Sequence, residues 1–138
     1  MLLLAQRRKE KAFRKVTAQE SSEMEARHRK MNSKYLTHAK KLLQQGDYLQ
    51  ASEKYWGAAA EIVKAVAAKR GIRLGAHRSL TKFVVELDEE QPKLNLVTEF
   101  SVANNLHTNF YEDWLHPKMV IKNAETVKNF ISKIERFL

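Results

Sequence analysis

The sequence predicts an all-α fold, an antiparallel bundle of four to five helices with an extra basic N-terminal helix or arm. Three observations predict it. Proline occurs only at positions 92 and 117, so the chain is rarely denied a backbone donor. Apolar residues recur at intervals of three and four rather than two, the period of a helix with one packed face. Gln45-Gly46-Asp47 offers a left-handed helix end followed at once by an N-cap, which folds one helix back on another. No strand is expected.

Thr17 with Glu20, and Ser22 with Glu25, both have the capping-box spacing, so the first long helix starts at one of them. Its stripe runs Met24, His28, Met31, Tyr35, His38 and Leu42, widened by Leu36, Ala39 and Leu43. The next helix spans Tyr48 to about Arg70, with Ala51, Tyr55, Ala58, Ala59, Ile62 and Val66 on one side. Gly57 in its middle costs about 1 kcal/mol relative to Ala, and so many small residues admit a close neighbour. Gly71 and Gly75 bracket a loop. Leu80, Phe83, Val84 and Leu87 mark a short helix that Asp88-Glu89-Glu90 and Pro92 end. Asn95 is the expected cap of a helix with the stripe Leu96, Phe100, Ala103, His107, Phe110 and Trp114, broken at His116-Pro117. Asn123 is the expected cap of a last helix whose Val127, Phe130, Ile131, Ile134 and Leu138 face inward.

A chain of 138 residues, 43% hydrophobic and 30% charged, suits one bundle domain, assigned to residues 34–138, behind a basic arm over 1–33. The net charge is +9, and residues 1–30 hold nine basic against four acidic side chains, so +5 of the excess lies there. Arg7, Arg8, Lys9, Lys11, Arg14 and Lys15, with Arg70, Arg73 and Arg78 in the bundle, are the candidate contacts to RNA or DNA phosphates. The plainer reading is a solvated charged face. No cysteine is present, which excludes disulfides, thiolate zinc sites and cysteine nucleophiles. No apolar run approaches membrane-spanning length, and Met1-Leu2-Leu3-Leu4 precedes Arg7-Arg8-Lys9, the reverse of a secretory signal. The expectation is a cytoplasmic protein without a membrane partner.

The densest chemistry is Leu106-His107-Thr108-Asn109-Phe110-Tyr111-Glu112-Asp113-Trp114. His107, Tyr111 and Glu112 are the candidate catalytic groups, and Phe110, Tyr111 and Trp114 the candidate interface of a homodimer. Against a catalytic role, His107 shares its stripe with core residues, where a histidine is more often simply hydrogen-bonded. Asn109 and Glu112 read first as structural or interface residues. No spaced histidine-carboxylate set announces a metal, and no glycine-rich phosphate loop or nucleophile elbow announces a cofactor or serine chemistry. Neither metal nor cofactor is expected.

The residues from Ala39 through Leu42, Gly46-Asp47-Tyr48, Ala51, Tyr55, Trp56, Ala59-Ala60, Lys64-Ala65 and Gly71, followed by Leu106-His107-Thr108-Asn109-Phe110-Tyr111-Glu112, resemble the archaeal PaREP family. That family belongs to the larger HEPN group of helical bundles, and the resemblance covers roughly residues 34–138. It implies a four- or five-helix bundle, a homodimer and a poorly defined role. Many HEPN proteins resemble metal-independent ribonucleases in which an arginine precedes a histidine by a few residues; the histidine moves protons and the cation steadies the phosphate. Here no lysine or arginine lies between Lys93 and Lys118, and the spacing of Arg70 to His77 is interrupted by Gly71 and Gly75. The expected function is therefore a noncatalytic, dimeric interaction module for nucleic acid or a protein partner. The alternative is a ribonuclease using His107 or His77 with Arg73 or Arg78. The HEPN resemblance also implies a third role, as partner of a nucleotidyltransferase in a toxin-antitoxin pair.

Overall fold

The computed structural model describes residues 13–138. Five helices form the bundle: α1 (Ala18–Gln44), α2 (Tyr48–Lys69), α3 (His77–Glu90), α4 (Leu96–Glu112) and α5 (Pro117–Glu135). Of the two possible starts for α1, the chain uses the first, where Thr17 Oγ1 accepts from Glu20 N at 3.2 Å. The helix then continues unbroken for 27 residues, so the division at residue 33 falls inside it. At its far end Asp47 N donates to Leu42 O and Gly46 N to Leu43 O, with Gly46 at φ +77°. That closed turn needs the left-handed backbone that glycine adopts without strain. Asp47 caps α2 through Gln50 N at 3.2 Å.

The α1–α2 hairpin is held in register by contacts that stay in step along both helices. Ser21 Oγ donates to Ala68 O, His28 meets Glu61, and Asn32 Nδ2 donates to Ala58 O at 2.7 Å. One turn further, the Tyr35 ring lies where a side chain on Gly57 would stand, 3.1 Å from an added Cβ. The glycine thus trades helix propensity for an aromatic ring pressed on the backbone of α2. His38, assigned to the packed stripe from sequence, is exposed, and the buried positions are Met24, Asn32 and Ala39.

Every other helix leans on α2 or on a helix that does. Thirteen of its 22 residues are buried, more than one amphipathic face can supply, because α1, α4 and α5 surround it. Alanines at 51, 58, 59, 60, 65, 67 and 68 let these neighbours approach closely. Beside Tyr55 and Trp56 of α2, most of the larger core side chains come from other helices: Leu80, Phe83, Val84 and Leu87 on α3, Leu96, Phe100 and Leu106 on α4, and Val127, Phe130, Ile131 and Ile134 on α5.

Four further sequence expectations are corrected. Instead of no strand, residues Phe13–Lys15 (β1) and Ile72–Leu74 (β2) form a two-stranded antiparallel ribbon, Arg14 opposite Arg73. Three residues per strand are too few for alternation to register. Asn95 does not cap α4 with its side chain; it takes the left-handed conformation at φ 56°, and Asp88 Oδ1, on α3, accepts from Val97 N at 3.2 Å. The last helix starts at Pro117, whose missing N–H costs nothing there, and His116 Nδ1 accepts from Lys118 N at 3.1 Å. Asn123 lies within this helix, its Nδ2 buried without a hydrogen-bond partner among the described residues. Trp114 is not on the packed stripe, because Asp113 at φ 49° ends α4 and turns Leu115 inward in its place.

Replacing Gly57 with Leu is expected to lower unfolding stability in urea by about 2 kcal/mol, the usual scale of overpacking. Tyr35→Ala in the same chain should recover part of that loss, and strictly additive effects would show that the ring is not the obstruction.

Candidate functional site

The residues assigned to a site from sequence fall into three places. His107, on the α2 side of α4, keeps 28% of its side-chain surface and donates from Nδ1 to Glu53 Oε2 on α2 at 3.1 Å. A donor at Nδ1 leaves Nε2 as the ring's basic nitrogen. Its ring stacks on Trp56 of α2 at 4.8 Å between centroids and 28° between planes. His77, at the start of α3, stacks on the same indole at 5.0 Å and 22°. The two imidazoles are therefore near-parallel neighbours with centroids 5.7 Å apart.

The hydrogen bonds orient both rings. Asn104 Nδ2 donates to Phe100 O at 3.2 Å, which turns its Oδ1 to His77 Nε2 at 2.9 Å. That pairing puts the proton on Nε2 and leaves Nδ1 as the acceptor. Two adjacent imidazoles, one held by an amide oxygen and the other by a carboxylate, are the residue types that proton transfer uses. Phe100 also packs on the indole, tilted by 45° with centroids 5.6 Å apart.

Tyr111 stands edge-on to His107 at 5.4 Å and to Phe110 at 5.2 Å, yet is 72% exposed. Trp114 is 53% exposed, Phe110 is half-buried, and Glu112 is exposed. These aromatic residues form an outward face beyond the histidines rather than a core. Asn109 has a different job. It is buried, its Nδ2 donates to Ser52 Oγ at 3.1 Å, and its Oδ1 accepts from Trp114 N at 2.9 Å and Leu115 N at 2.8 Å. One amide thereby closes the end of α4 and ties it to α2.

The basic residues are divided as well. Arg7, Arg8, Lys9 and Lys11 lie outside the described residues, while Arg14 and Lys15 are in β1. Arg70 is already committed: its guanidinium donates to both oxygens of Glu90 at 2.6 and 2.8 Å and lies between the rings of Phe83 and Phe137, 5.8 Å from each. These hydrogen bonds hold the Glu90 carboxyl below its usual range, and Glu90 in turn raises Arg70. Arg78 is exposed next to His77. Arg73, exposed on β2, lines a cleft of about 310 Å³ with Arg27, His28 and Lys64. Among the described residues no group of three or more histidine and carboxylate side chains is arranged to hold a metal ion, and no helix is long and apolar enough to cross a membrane.

Sequence reasoning missed Glu53, Trp56 and Asn104. Glu53 and Trp56 share a helix face three residues apart, but the alanines opposite dominate the pattern of α2. Nothing in one dimension joins His77 to His107, 30 positions on.

The family model for the archaeal PaREP1/PaREP8 family matches residues 27–131. The crystal structure of a protein from Sulfolobus solfataricus is similar at a TM-score of 0.69 and 24% identity, covering 78% of this chain and 95% of that one. That likeness speaks to the fold alone. None of the curated proteins matches the chain in sequence.

Truncating Asn109 to Ala is expected to destabilise the fold by about 2 kcal/mol, since the buried Leu115 N–H and the part-buried Trp114 N–H lose their acceptor; equilibrium unfolding measures it. The Arg70–Glu90 pair has a pH signature. Because the folded carboxyl releases its proton more readily, the pair adds stability above the ordinary glutamate pKa of about 4.3 and loses it as pH falls through the depressed folded value. With both side chains more than a third exposed, the contribution is about 0.5 kcal/mol. Urea unfolding of Arg70→Gln at pH 6 and pH 3 should show the acid-induced loss reduced by that amount.

Proposed function

The chain belongs to the archaeal PaREP1/PaREP8 family, and from that premise we propose that it is a noncatalytic helical interaction module that binds nucleic acid through its basic surface. The observation that supports this reading is the pairing of β1 with β2, which brings the backbone at Arg14 opposite Arg73. Arg73 shares its cleft with Arg27 and Lys64, so cations remote in sequence converge on one end of the α1–α2 hairpin. Phosphate neutralisation by such a surface needs no base contact and falls steeply with salt. A second copy of the chain is the partner we propose for Tyr111 and Trp114, whose exposed rings suit a symmetric contact.

A second reading, metal-independent ribonuclease, is favoured by one observation. His77 and His107 stand with ring centroids 5.7 Å apart, one of them paired with Glu53, and Arg78 adjoins His77. Two imidazoles at that separation fit acid and base roles in moving the ribose proton and protonating the leaving oxygen. The missing cation on α4 makes it the lesser reading.

Binding of labelled single-stranded RNA across a salt series tests the first reading. Changing Arg7, Arg8, Lys9 and Lys11 to Gln together should reduce the salt slope by about 3, at roughly 0.7 per phosphate contact. Wild-type protein that retains no RNA at low salt would sink the proposal. Incubation of the same RNA in chelator decides the second: cleavage by wild type that His77→Ala and His107→Ala both abolish supports a nuclease, and intact RNA rejects it.

A further inference from the structure

Two clefts meet on this face of the molecule, and their linings differ in kind. The first, about 310 Å³, carries Arg27 from α1 and Arg73 from β2. The second, about 250 Å³, is walled by Trp56, His77 and Leu80. Lys64 and Gly75 line both, so the pair form one groove with cations at one end, rings at the other and an ammonium between. Together they fall within the ~300–1,000 Å³ of small-molecule sites.

We propose that this groove is a binding site for a nucleoside phosphate unit, with the phosphate held by Arg27, Lys64 and Arg73 and the base against His77 and Trp56. The proposal rests on the nucleic-acid reading above and names the chemistry of its ligand. Three cations from three separate elements face one cleft, where charge-assisted hydrogen bonds to phosphate oxygens are the strong kind. Glu61 is the opposing charge: it accepts from His28 at 2.5 Å and lies 3.8 Å from Lys64. Each of these contacts is on α1 or α2, so the carboxylate holds Lys64 at the junction while leaving Arg27 and Arg73 unopposed by it. At the aromatic end, His77 is exposed, fixed by Asn104 and backed by the indole of Trp56, an aromatic support of the kind on which a base is held whatever its identity. Gly75 keeps the passage open. A Cβ built there meets nothing within 4 Å, and its backbone is not in the left-handed region, so a larger residue can enter the groove without straining the fold.

A cleft of about 400 Å³ elsewhere, lined by Arg29 and Glu135 among others, offers an anion one cation against one carboxylate. It lacks the aromatic wall.

The test uses full-length protein carrying Trp114→Phe, which leaves Trp56 the sole tryptophan of the two and places the reporter in the groove. Adenosine and uridine monophosphates, and a hexamer of RNA, are titrated separately while Trp56 fluorescence is followed, with inorganic phosphate as competitor. A response to the mononucleotides supports a free-nucleotide site, and a response to the hexamer alone supports a site for a strand. Either must weaken about tenfold in Lys64→Gln and in Arg73→Gln, the loss of one charged hydrogen bond, and vanish in Gly75→Val. The groove is overturned if neither ligand changes Trp56 emission, or if Gly75→Val, shown folded by circular dichroism, responds like its parent. Arm-mediated binding is scored separately by the RNA salt slope: hexamer retained by Gly75→Val with an unchanged slope removes the groove and leaves the arm. Mononucleotide binding without RNA retention keeps the groove and removes the arm.

Discussion

The near-complete burial of α2 is the constraint on which the rest of this structure depends. A helix packed against several neighbours keeps only a narrow polar side, so elsewhere its side chains must be small wherever another backbone comes near. The alanine content of α2 is the direct result, and it shifts the supply of core volume to α3, α4 and α5. Large side chains survive on α2 only where a neighbour leaves room, as for Tyr55 in the core and Trp56 beneath the histidines. Apolar burial of this kind contributes about 25 cal/mol per Å², and the polar links of α1 to α2 fix register rather than supply the driving force.

The candidate site is a consequence of that central helix. Because α3 and α4 both dock beside α2, their histidines arrive at one indole from two directions, and the carboxylate one turn away on α2 orients the nearer ring. The basic cleft forms where α2 ends and the chain reverses through Gly71 into β2, which brings Arg73 back toward α1. Aromatic and cationic chemistry are thus adjacent because their clefts run along α2 and share Lys64, Leu74 and Gly75.

What could be read from the sequence follows the reach of each signal. The five helices, the Gly46-Asp47 reversal and the break at Pro117 rest on local patterns, and the chain honours them. The caps at Asn95 and Asn123 were misread because capping depends on which donor lies nearby in space: Asp88 serves α4 from another helix, and Pro117 starts α5 earlier. The stripe ending in Trp114 failed for a similar reason, since a single left-handed residue at Asp113 changes which side chain turns inward. His107 and its aromatic neighbours stood out by density alone. Their relation to Trp56, Glu53 and His77 is tertiary, so no spacing rule could disclose it. The ribbon was hidden by its shortness.

Asn109 carries a consequence beyond stability. By accepting from the backbone of Trp114 and Leu115 while anchored to Ser52, it fixes the backbone from which the exposed Trp114 projects. A contact at Trp114, were one made, would start from an already ordered backbone. Ordering costs on binding commonly run to about 0.5–1.5 kcal/mol for each immobilised side chain, and aromatic rings with two torsions sit at the lower end of flexibility. The backbone that carries the Trp114 ring is thus ordered by the chain's own hydrogen bonds.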